Sequence, residues 1–462
     1  MKHNLIISLL FMLPLSASAL LHSPDEIADG KAAESVGQRE MTLNDCLLYA
    51  RQHAHTNRLS RIRTETARTD KRIAAADLMP YVGLGSSASL SFGRNIDPET
   101  NTYDNKKTLG SALGIDFSLP LFDGLVRINN YKALQTAAMR SDKNRSMEED
   151  RISLEVIKNF YNVDYCRAMV AQMTRQLQRD STDLAATKRG EELGTKSGAD
   201  VAELEAVVAA DRFELINQQN LLDKAMLTLR SSMGMPITDQ PLLLASALSH
   251  DQTGAATDPL TEDFREETKR WKLPDVEEAE LSVKENRLYL RAAKGEYSPR
   301  ITFTAGISTS YYRMMGMGVN AESFRRQIRN NMGEYIGLSL SFPIFDGLAT
   351  TNRVKRAQIN LRESETRLEQ TVYELQKAQE EARLDRDAAI EELSAAGRRL
   401  EAEEIAYKAM RRKFELGMAS AIDLYTSSAK LATAEAALTG KRIQRIVAEI
   451  TLRYYEGYPL IR

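Results

Sequence analysis

The sequence has few of the residues that define several common classes of protein. It contains 2 cysteines, 1 tryptophan and 5 histidines in 462 residues, and its formal net charge is −2. One pair of cysteines, Cys46 and Cys166, is no disulfide framework, and we expect both to be small buried apolar side chains. The near-neutral charge gives no basic surface for nucleic acid. Past residue 19, no apolar run approaches the roughly 20 residues of a transmembrane helix.

Reactive groups are equally sparse. His53 and His55 are two positions apart, so on a helix they point to different faces and do not suit a shared metal ion. The other three histidines are scattered at His3, His22 and His250. No HExxH, GxSxG or P-loop pattern is present. The sequence therefore predicts no enzyme, no metal site and no cofactor.

The N-terminus has the pattern of a secretory signal. Lys2 supplies positive charge, Leu5 to Leu15 is mainly apolar, and Ala17-Ser18-Ala19 is a small-x-small cleavage motif. A membrane anchor is the alternative, but the apolar run is shorter than the roughly 20 residues that span a bilayer. We expect cleavage after Ala19 and export from the cytoplasm.

An internal repeat is the most informative feature. The segment FSLPLFDGL at 117–125 recurs as LSFPIFDGL at 340–348, an offset of 223 residues. The aligned junction residues are Pro120, Asp123 and Gly124 in the first copy and Pro343, Asp346 and Gly347 in the second. The same offset carries the pattern ELGxxSxxD from 192–200 onto 415–423. Two motifs about 70 residues apart share one register, so the chain contains two copies of one structural unit.

Each copy has two segments in which apolar residues alternate with Gly, Ser and Thr. The predicted strands are 81–93 and 109–119, then 300–311 and 333–342. Their length suits membrane-spanning strands of roughly 9–11 residues, and the small polar face suits a wet lumen. Packing on a soluble core is the alternative. Four strands cannot close a barrel that needs about eight, so strands that span lipid must be pooled from several chains.

Helices flank these strands. Helical patterns cover roughly 42–79 and 274–297, and proline-free stretches run from Asp123 to about Arg189 and from Asp346 to about Lys413. At 1.5 Å per residue the latter would be roughly 100 Å long. Asp123 and Asp346 suit N-cap positions. Two stripes at intervals of seven indicate coiled-coil seams: Val201, Val208, Leu215, Leu222 and Leu229, then Leu361, Leu368, Leu375, Ala382, Ala389 and Ala396. A soluble helical bundle without a pore is the alternative.

The ELGxxSxxD patterns predict helical hairpin tips at about 190–198 and 413–421. Gly194 and Gly417 suit the left-handed position that ends a helix. The returning helices begin with Ser-x-x-Asp capping boxes, formed by Ser197 with Asp200 and by Ser420 with Asp423. In a ring of chains, these aspartates would also form a girdle of carboxylates.

These residues together divide the chain into six predicted parts. They are the signal peptide 1–19, an N-terminal segment 20–40, a first repeat 41–233, a linker 234–273 rich in Pro, Gly and Asp, a second repeat 274–455 and a tail 456–462.

The duplicated order of helix, strand pair, FDG-type junction, long helix, ELGxxSxxD tip and returning helix resembles the TolC family of outer-membrane efflux proteins. The resemblance implies a mixed α and transmembrane β fold. Three chains would form a homotrimer with a 12-stranded β-barrel in outer-membrane lipid, a coiled-coil α-barrel in the periplasm and an equatorial belt. It also implies a periplasmic adaptor and an inner-membrane transporter as partners in efflux or type I secretion. A non-conducting periplasmic spacer is the alternative function.

The resemblance places the family's acidic gate on Asp423. Its second acidic position is Thr426 here, and Ala419 replaces a basic residue that often precedes the gate, so we expect a weaker girdle completed by Asp200. Where the family usually has an Asn-Pro pair in the first helix, this chain reads His55-Thr56-Asn57-Arg58. The adaptor would contact the hairpin tips through Leu193, Gly194, Ser197, Leu416, Gly417 and Ser420.

Overall fold

A computed structural model describes residues 40–96, 102–105, 107–237, 242–245, 272–315 and 323–460. The predicted signal peptide, most of the N-terminal segment and most of the linker lie outside the described residues. The chain forms two compact units, one made of Met1–Thr42 with Thr238–Ala245 and the other of Leu43–Ile237 with Ser246–Arg462.

The first unit contains an isolated parallel bridge between Met41 and Leu244. The Met41 N–H donates to the Leu243 carbonyl at 2.9 Å, and the Ala245 N–H donates to the Met41 carbonyl at 3.0 Å. No sequence pattern predicts this pairing, because its two sides are about 200 residues apart in the chain and each is very short.

The second unit holds both copies of the repeat. Copy one contains α1 (Leu43–His53), α2 (His55–Ala76), β1 (Tyr81–Ser91), β2 (Arg94–Ile96), β3 (Tyr103–Asn105), β4 (Lys107–Phe122), α3 (Val126–Glu192) and α4 (Gly198–Met233). Copy two contains α5 (Pro274–Gly295), β5 (Arg300–Met315), α6 (Phe324–Asn330), β6 (Gly333–Ser341), α7 (Ala349–Glu415) and α8 (Ala421–Tyr455). The long helices α3 and α7 have 67 residues each and keep the offset found in the sequence.

The helical segment predicted over roughly 42–79 is present as two helices, α1 and α2, which meet at Ala54. Its backbone is extended, with φ −55° and ψ 131°. Gly234, which ends α4, packs against this break so closely that a Cβ there would lie 2.6 Å from the His53 carbonyl oxygen. The buried Asn57 donates from Nδ2 to the Ala50 carbonyl across the break. The close approach of Gly234 to His53 and Ala54 therefore occurs where the helix is interrupted.

The N-cap prediction for the two junction aspartates needs correction. The caps of α3 and α7 are Leu125 and Leu348, both left-handed with φ of 65° and 66°. The aspartates nevertheless bind the first turns from further upstream. Asp123 Oδ2 accepts from the Arg127 N–H at 3.2 Å, and Asp346 Oδ2 accepts from the Thr350 N–H at 2.7 Å. They satisfy donors that the start of a helix leaves unpaired.

The four long strands form one antiparallel sheet in the order β1-β4-β5-β6. β4 and β5 run further than predicted, to 16 residues each, and the β4–β5 register shifts between Pro120 and Phe122. The loop after β1 carries the short pair β2–β3, and the loop after β5 carries α6. Sequence patterns missed both, because three or seven residues are too few to reveal a period.

Helices α3 and α4 pack together as one antiparallel hairpin, and α7 and α8 as another. Val201, Val208, Leu229, Ala382 and Ala389 are buried, and Leu215, Leu222, Leu361, Leu368, Leu375 and Ala396 are half-buried. The predicted seams are therefore confirmed. Cys46 and Cys166 are buried and unbridged, also as expected.

Helix α5 joins the two copies by packing on both α3 and α7. Arg140 of α3 forms ion pairs with Glu278 at 3.0 Å and Glu285 at 2.8 Å on α5. At the end nearest the sheet the two backbones nearly touch, since a Cβ on Gly124 would lie 2.0 Å from the Gly295 carbonyl oxygen. Glycine at both positions permits this approach.

Candidate functional site

Both helical hairpins turn by the same geometry at their tips. Gly194 and Gly417 have φ of 73° and 70°, as predicted. The Thr195 N–H donates to the Gly190 carbonyl and the Met418 N–H to the Lys413 carbonyl, each at 2.8 Å. These bonds occupy carbonyls that a helix end would otherwise leave free.

The returning helices begin with complete capping boxes. Ser197 Oγ accepts from the Asp200 N–H at 3.2 Å, and Asp200 Oδ2 accepts from the Ser197 N–H at 3.1 Å. Ser420 and Asp423 repeat both bonds at the same distances. The bonds from Ser197 and Ser420 lower the pKa of Asp200 and Asp423. Each returning helix therefore begins with a capping carboxylate that is ionised at neutral pH.

The other predicted tip residues are largely exposed. Leu193 is 73% and Leu416 58% exposed, although each follows a long buried seam. Thr426 is exposed, and its Oγ1 donates to the Ile422 carbonyl at 2.7 Å, so its hydroxyl is bound by its own helix.

A core beneath the second tip ties the two hairpins together. It consists of Leu204, Tyr407, Phe414, Ala421, Leu424 and Leu431, with Ala419 packed against it. Lys196, from the first tip, places its Nζ 3.9 Å from the centroid of the Phe414 ring. This cation–π contact puts a positive charge beside a tip whose own sequence has Ala419 in place of a base. The residues are distant in sequence, so the sequence analysis did not find it.

A buried polar cluster lies further along the first hairpin. Asp180 of α3 and Asp211 of α4 are 6% and 5% exposed, and Gln176 Nε2 donates to Asp211 Oδ1 at 2.9 Å. Burial and the neighbouring Asp211 raise the pKa of Asp180 to about 8. Asp211 follows Leu204 and Val208 at heptad spacing. An acid at a seam position was the signal that could have revealed it.

Helix α7 contacts the edge of this polar cluster. Arg411 lies 3.7 Å from Asp183 Oδ1 on α3. Tyr407, one turn earlier, is 7% exposed, and burial raises its pKa. The cluster therefore lies where the two hairpins pack together.

The sheet has one apolar and one polar face, as the alternation predicts. Cross-strand pairs place Val82 opposite Phe117, Leu84 opposite Ile115, Ile115 opposite Ile307 and Phe303 opposite Leu338. Many of these side chains are exposed, including Leu84 at 74%, Ile336 at 76% and Leu338 at 68%. A broad apolar surface of this kind marks a membrane or protein contact.

The polar face carries one charged residue in the middle of a strand. Asp116 pairs in register with Gly83 and Gly306, and Gly306 pairs with Tyr335. The Tyr335 ring extends over Gly306, where a Cβ would lie 2.6 Å from the ring. Its hydroxyl reaches Asp116 Oδ1 at 2.9 Å. The glycine makes room for a tyrosine–aspartate pair that the sequence analysis overlooked.

Aromatic residues lie near both ends of the sheet. Tyr311 and Tyr312 pair with Ser111 and Gly110 of β4, whereas Tyr81 pairs with Ser118. Eight residues of β4 separate these levels, or roughly 27 Å at 3.4 Å per residue. Tyr311 is on the apolar face with Ile307, whereas Tyr81 and Tyr312 are on the polar face with Gly83 and Gly306.

Within the described part of the chain, each helix is too short or too polar to cross a bilayer. Among the same residues, no group of three or more His, Cys, Asp or Glu side chains is placed to hold a metal ion.

A duplicated strand pair with one apolar face, each pair leading into a hairpin of one 67-residue helix and a shorter returning helix, is the fold of an envelope channel protein. The sequence matches the family described as "Outer membrane efflux protein" over residues 49–235 and 272–457, once in each copy. The chain belongs to this family. It is an outer-membrane efflux protein, and members of the family are channel proteins.

Individual relatives agree with this assignment. The probable efflux pump outer membrane protein TtgC of Pseudomonas putida is 24% identical over 441 residues, covering 93% of this chain and 86% of TtgC. The outer membrane protein TolC of Escherichia coli K12 is 21% identical over 384 residues, covering 82% of this chain and 75% of TolC.

Solved structures show the same fold. CusC superposes with a TM-score of 0.76 at 17% identity, covering 90% of this chain and 92% of CusC. The outer membrane protein VceC of Vibrio cholerae gives a TM-score of 0.74 at 15% identity, covering 90% of this chain and 96% of VceC.

Proposed function

We propose that three copies of this chain form an exit duct across the periplasm and the outer membrane. Twelve strands would close one barrel in lipid, and the long helices would continue it as a tunnel. The chain would supply a passage and no reaction. The efflux-pump relatives support this proposal, as does the repeat itself.

The proposed oligomer is supported by a contact between the two copies that has no equivalent within the same chain. Copy one packs on copy two through α3 and α5. By the repeat, α7 is equivalent to α3 and α2 is equivalent to α5, so an equivalent contact would join α7 to α2 of another chain. Ile359 on α7 and Ile62 on α2 are 54% and 58% exposed, and β1 and β6 are the outer strands of the sheet. A closed ring of chains would bury all of these surfaces.

The proposed organisation keeps the boundaries read from the sequence. After a signal peptide 1–19 and segment 20–40, the repeats 41–233 and 274–455 would each supply two strands and one hairpin to the duct. The linker 234–273 would contribute to a belt around the helices, with 456–462 as a tail.

We further propose that the tips form the periplasmic entrance. Asp423 and Asp200, both ionised, would ring the opening, while Thr426 on the turn after Asp423 adds no charge at the position of the family's second acid. The surfaces around Leu193, Gly194, Ser197, Leu416, Gly417 and Ser420 would contact a periplasmic adaptor that links the duct to an inner-membrane transporter. The exposed leucines at both tips support such a contact.

One experiment separates a duct from a spacer between membranes. The full chain, purified in detergent, is weighed by native mass spectrometry and inserted into planar bilayers of phosphatidylcholine. A trimer with discrete conductance steps is expected. A trimer that inserts and passes no current would favour the non-conducting spacer, and a monomer that stays in solution without detergent would contradict both.

A further inference from the structure

The short helix α6 is attached to a strand edge. β6 pairs with β5 as far as Ser308, while β5 continues to Met315. Along this extension, Gln327 Oε1 accepts from the Tyr312 N–H at 2.9 Å, and Gln327 Nε2 donates to the Tyr312 carbonyl at 3.0 Å. Asn331 Nδ2 donates to the Ser310 carbonyl at 2.8 Å. The side chains of α6 thus cover backbone groups that β6 leaves open.

This attachment fixes which face of α6 points away from the strand. The contacting residues are Phe324, Gln327, Ile328 and Asn331, the spacing of one helix face. The Phe324 ring packs edge-on against Tyr311, with centroids 5.0 Å apart, and Thr309 Oγ1 donates to the Ile328 carbonyl at 2.7 Å. The opposite face therefore carries the three arginines of the helix, and all three are exposed: Arg325, Arg326 and Arg329.

The surroundings of this face are basic. Arg313 at the end of β5 is also exposed. Among the described residues of 300–341, one is acidic, Glu334. The sequence of the connecting stretch 316–322 contains one more acid, Glu322. The same end of the sheet carries Arg94, Lys107 and the acidic Asp104, and Lys107 lies 5.5 Å from the Phe92 ring centroid.

The position of this basic face relative to the sheet indicates its partner. Helices leave the sheet at one end, after Phe122 and Ser341, while α6 lies at the other end, level with Tyr311 and Tyr312. In an outer-membrane protein with periplasmic helices, that end faces the outer leaflet. Tyr311 is on the apolar face, where aromatic residues lie at the boundary between hydrocarbon and headgroups, so the arginines lie at the depth of lipid phosphates.

We propose that Arg325, Arg326 and Arg329 bind the phosphate groups of the anionic glycolipid in the outer leaflet. Guanidinium groups pair with phosphate through two parallel hydrogen bonds, and a cluster of three on one face suits a ligand with more than one phosphate. The inference rests on the proposed insertion of the strands in the outer membrane. It adds a lipid-binding surface to a channel protein.

The test uses the full-length protein purified in detergent and titrated with purified lipopolysaccharide. The variant R325Q/R326Q/R329Q is expected to bind at least about tenfold more weakly, since a basic residue near an anionic surface contributes roughly a fivefold change in affinity. The variant R325K/R326K/R329K should keep most of the binding. The control R63Q/R72Q/R212Q removes three exposed charges from α2 and α4 and should bind like the wild type.

Wild-type protein alone provides a second arm, which is independent of how the variants fold. Lipopolysaccharide stripped of phosphate should bind at least about tenfold more weakly. Inorganic phosphate at the same phosphate concentration should fail to displace the intact glycolipid. Equal binding by the glutamine variant, undiminished binding of the stripped glycolipid, or full displacement by inorganic phosphate would each overturn the proposal. Conductance in phosphatidylcholine bilayers, measured on the same samples, tests the duct separately.

Discussion

At the scale of single residues, the carboxylate of Asp423 has two roles that can be separated. It caps α8 through Ser420, and in the proposed trimer it places three negative charges at the entrance. Asp423→Ala should raise single-channel conductance and reduce cation preference, because the entrance loses three of its negative charges and the start of α8 is loosened by about 1 kcal/mol. Planar-bilayer recordings with a salt gradient measure both quantities.

Ser420→Ala is the matched control for that substitution. It removes the capping hydroxyl and keeps the carboxylate, so it should leave cation preference unchanged. If it lowers the preference as much as Asp423→Ala does, the effect comes from the helix start and Asp423 is no part of a charged entrance.

A second residue-scale prediction concerns Asp180, whose pKa is raised from 3.8 to about 8. The folded protein then keeps a proton that the unfolded chain releases near pH 4, so stability falls as pH rises from about 4 to about 8. The groups around it are Gln176, Arg179 and Asp183 on α3, Asp211 on α4, and Tyr407, Arg411 and Glu415 on α7.

Asp180→Asn should reduce the loss of apparent Tm between pH 5 and pH 8, because a neutral amide does not lose a proton. Thermal unfolding followed by circular dichroism measures this. Asp385→Asn, at an exposed acid on α7, should retain the wild-type loss. An unchanged pH dependence in Asp180→Asn would mean that the buried carboxyl does not titrate in this range.

At the scale of elements, the two strand–helix junctions differ although their sequences match. Gly124 and Gly347 are both left-handed, but a Cβ on Gly124 would collide with Gly295, whereas a Cβ on Gly347 meets open space within the chain. Gly347→Ala should cost roughly 1–2 kcal/mol from backbone strain alone. Gly124→Ala should cost clearly more, because the α3–α5 contact must also open.

Denaturant unfolding of the two variants in detergent gives the comparison. Equal losses would mean that Gly347 meets a neighbouring subunit in the assembly as closely as Gly124 meets α5. That result would itself place a second chain at this junction.

The elements were mostly predictable from local patterns, and the exceptions have physical causes. The 67-residue helices, the tips at Gly194 and Gly417 and the faces of the sheet follow from periods and caps that neighbouring residues specify. The break at Ala54 was missed because it depends on Gly234, which is 180 residues away. The junction aspartates were placed two residues from the true caps, because Leu125 and Leu348 adopt a left-handed conformation that leucine rarely takes.

At the scale of the whole molecule, the exposed apolar faces of α2 and α7 predict an obligate oligomer. Ile359→Glu should weaken the trimer, because it would bury an unpaired charge in the contact between chains. Native mass spectrometry should show a shift toward monomer while circular dichroism retains the helical signal. Asn360→Glu, at the adjacent exposed position, is the control and should leave the mass distribution unchanged. A stable trimer of the Ile359→Glu variant would place the contact elsewhere.

The sequence alone determined the duplication, the four strands, the long paired helices and their tips. Each of these depends on local periodicity and on residues that cap or turn the backbone. Only the tertiary structure revealed the buried Asp180 and Asp211, the Tyr335–Asp116 pair, the Lys196–Phe414 contact and the arginine face of α6. These features join residues from separate helices and strands, so their chemistry arises from packing that a single stretch of sequence does not encode.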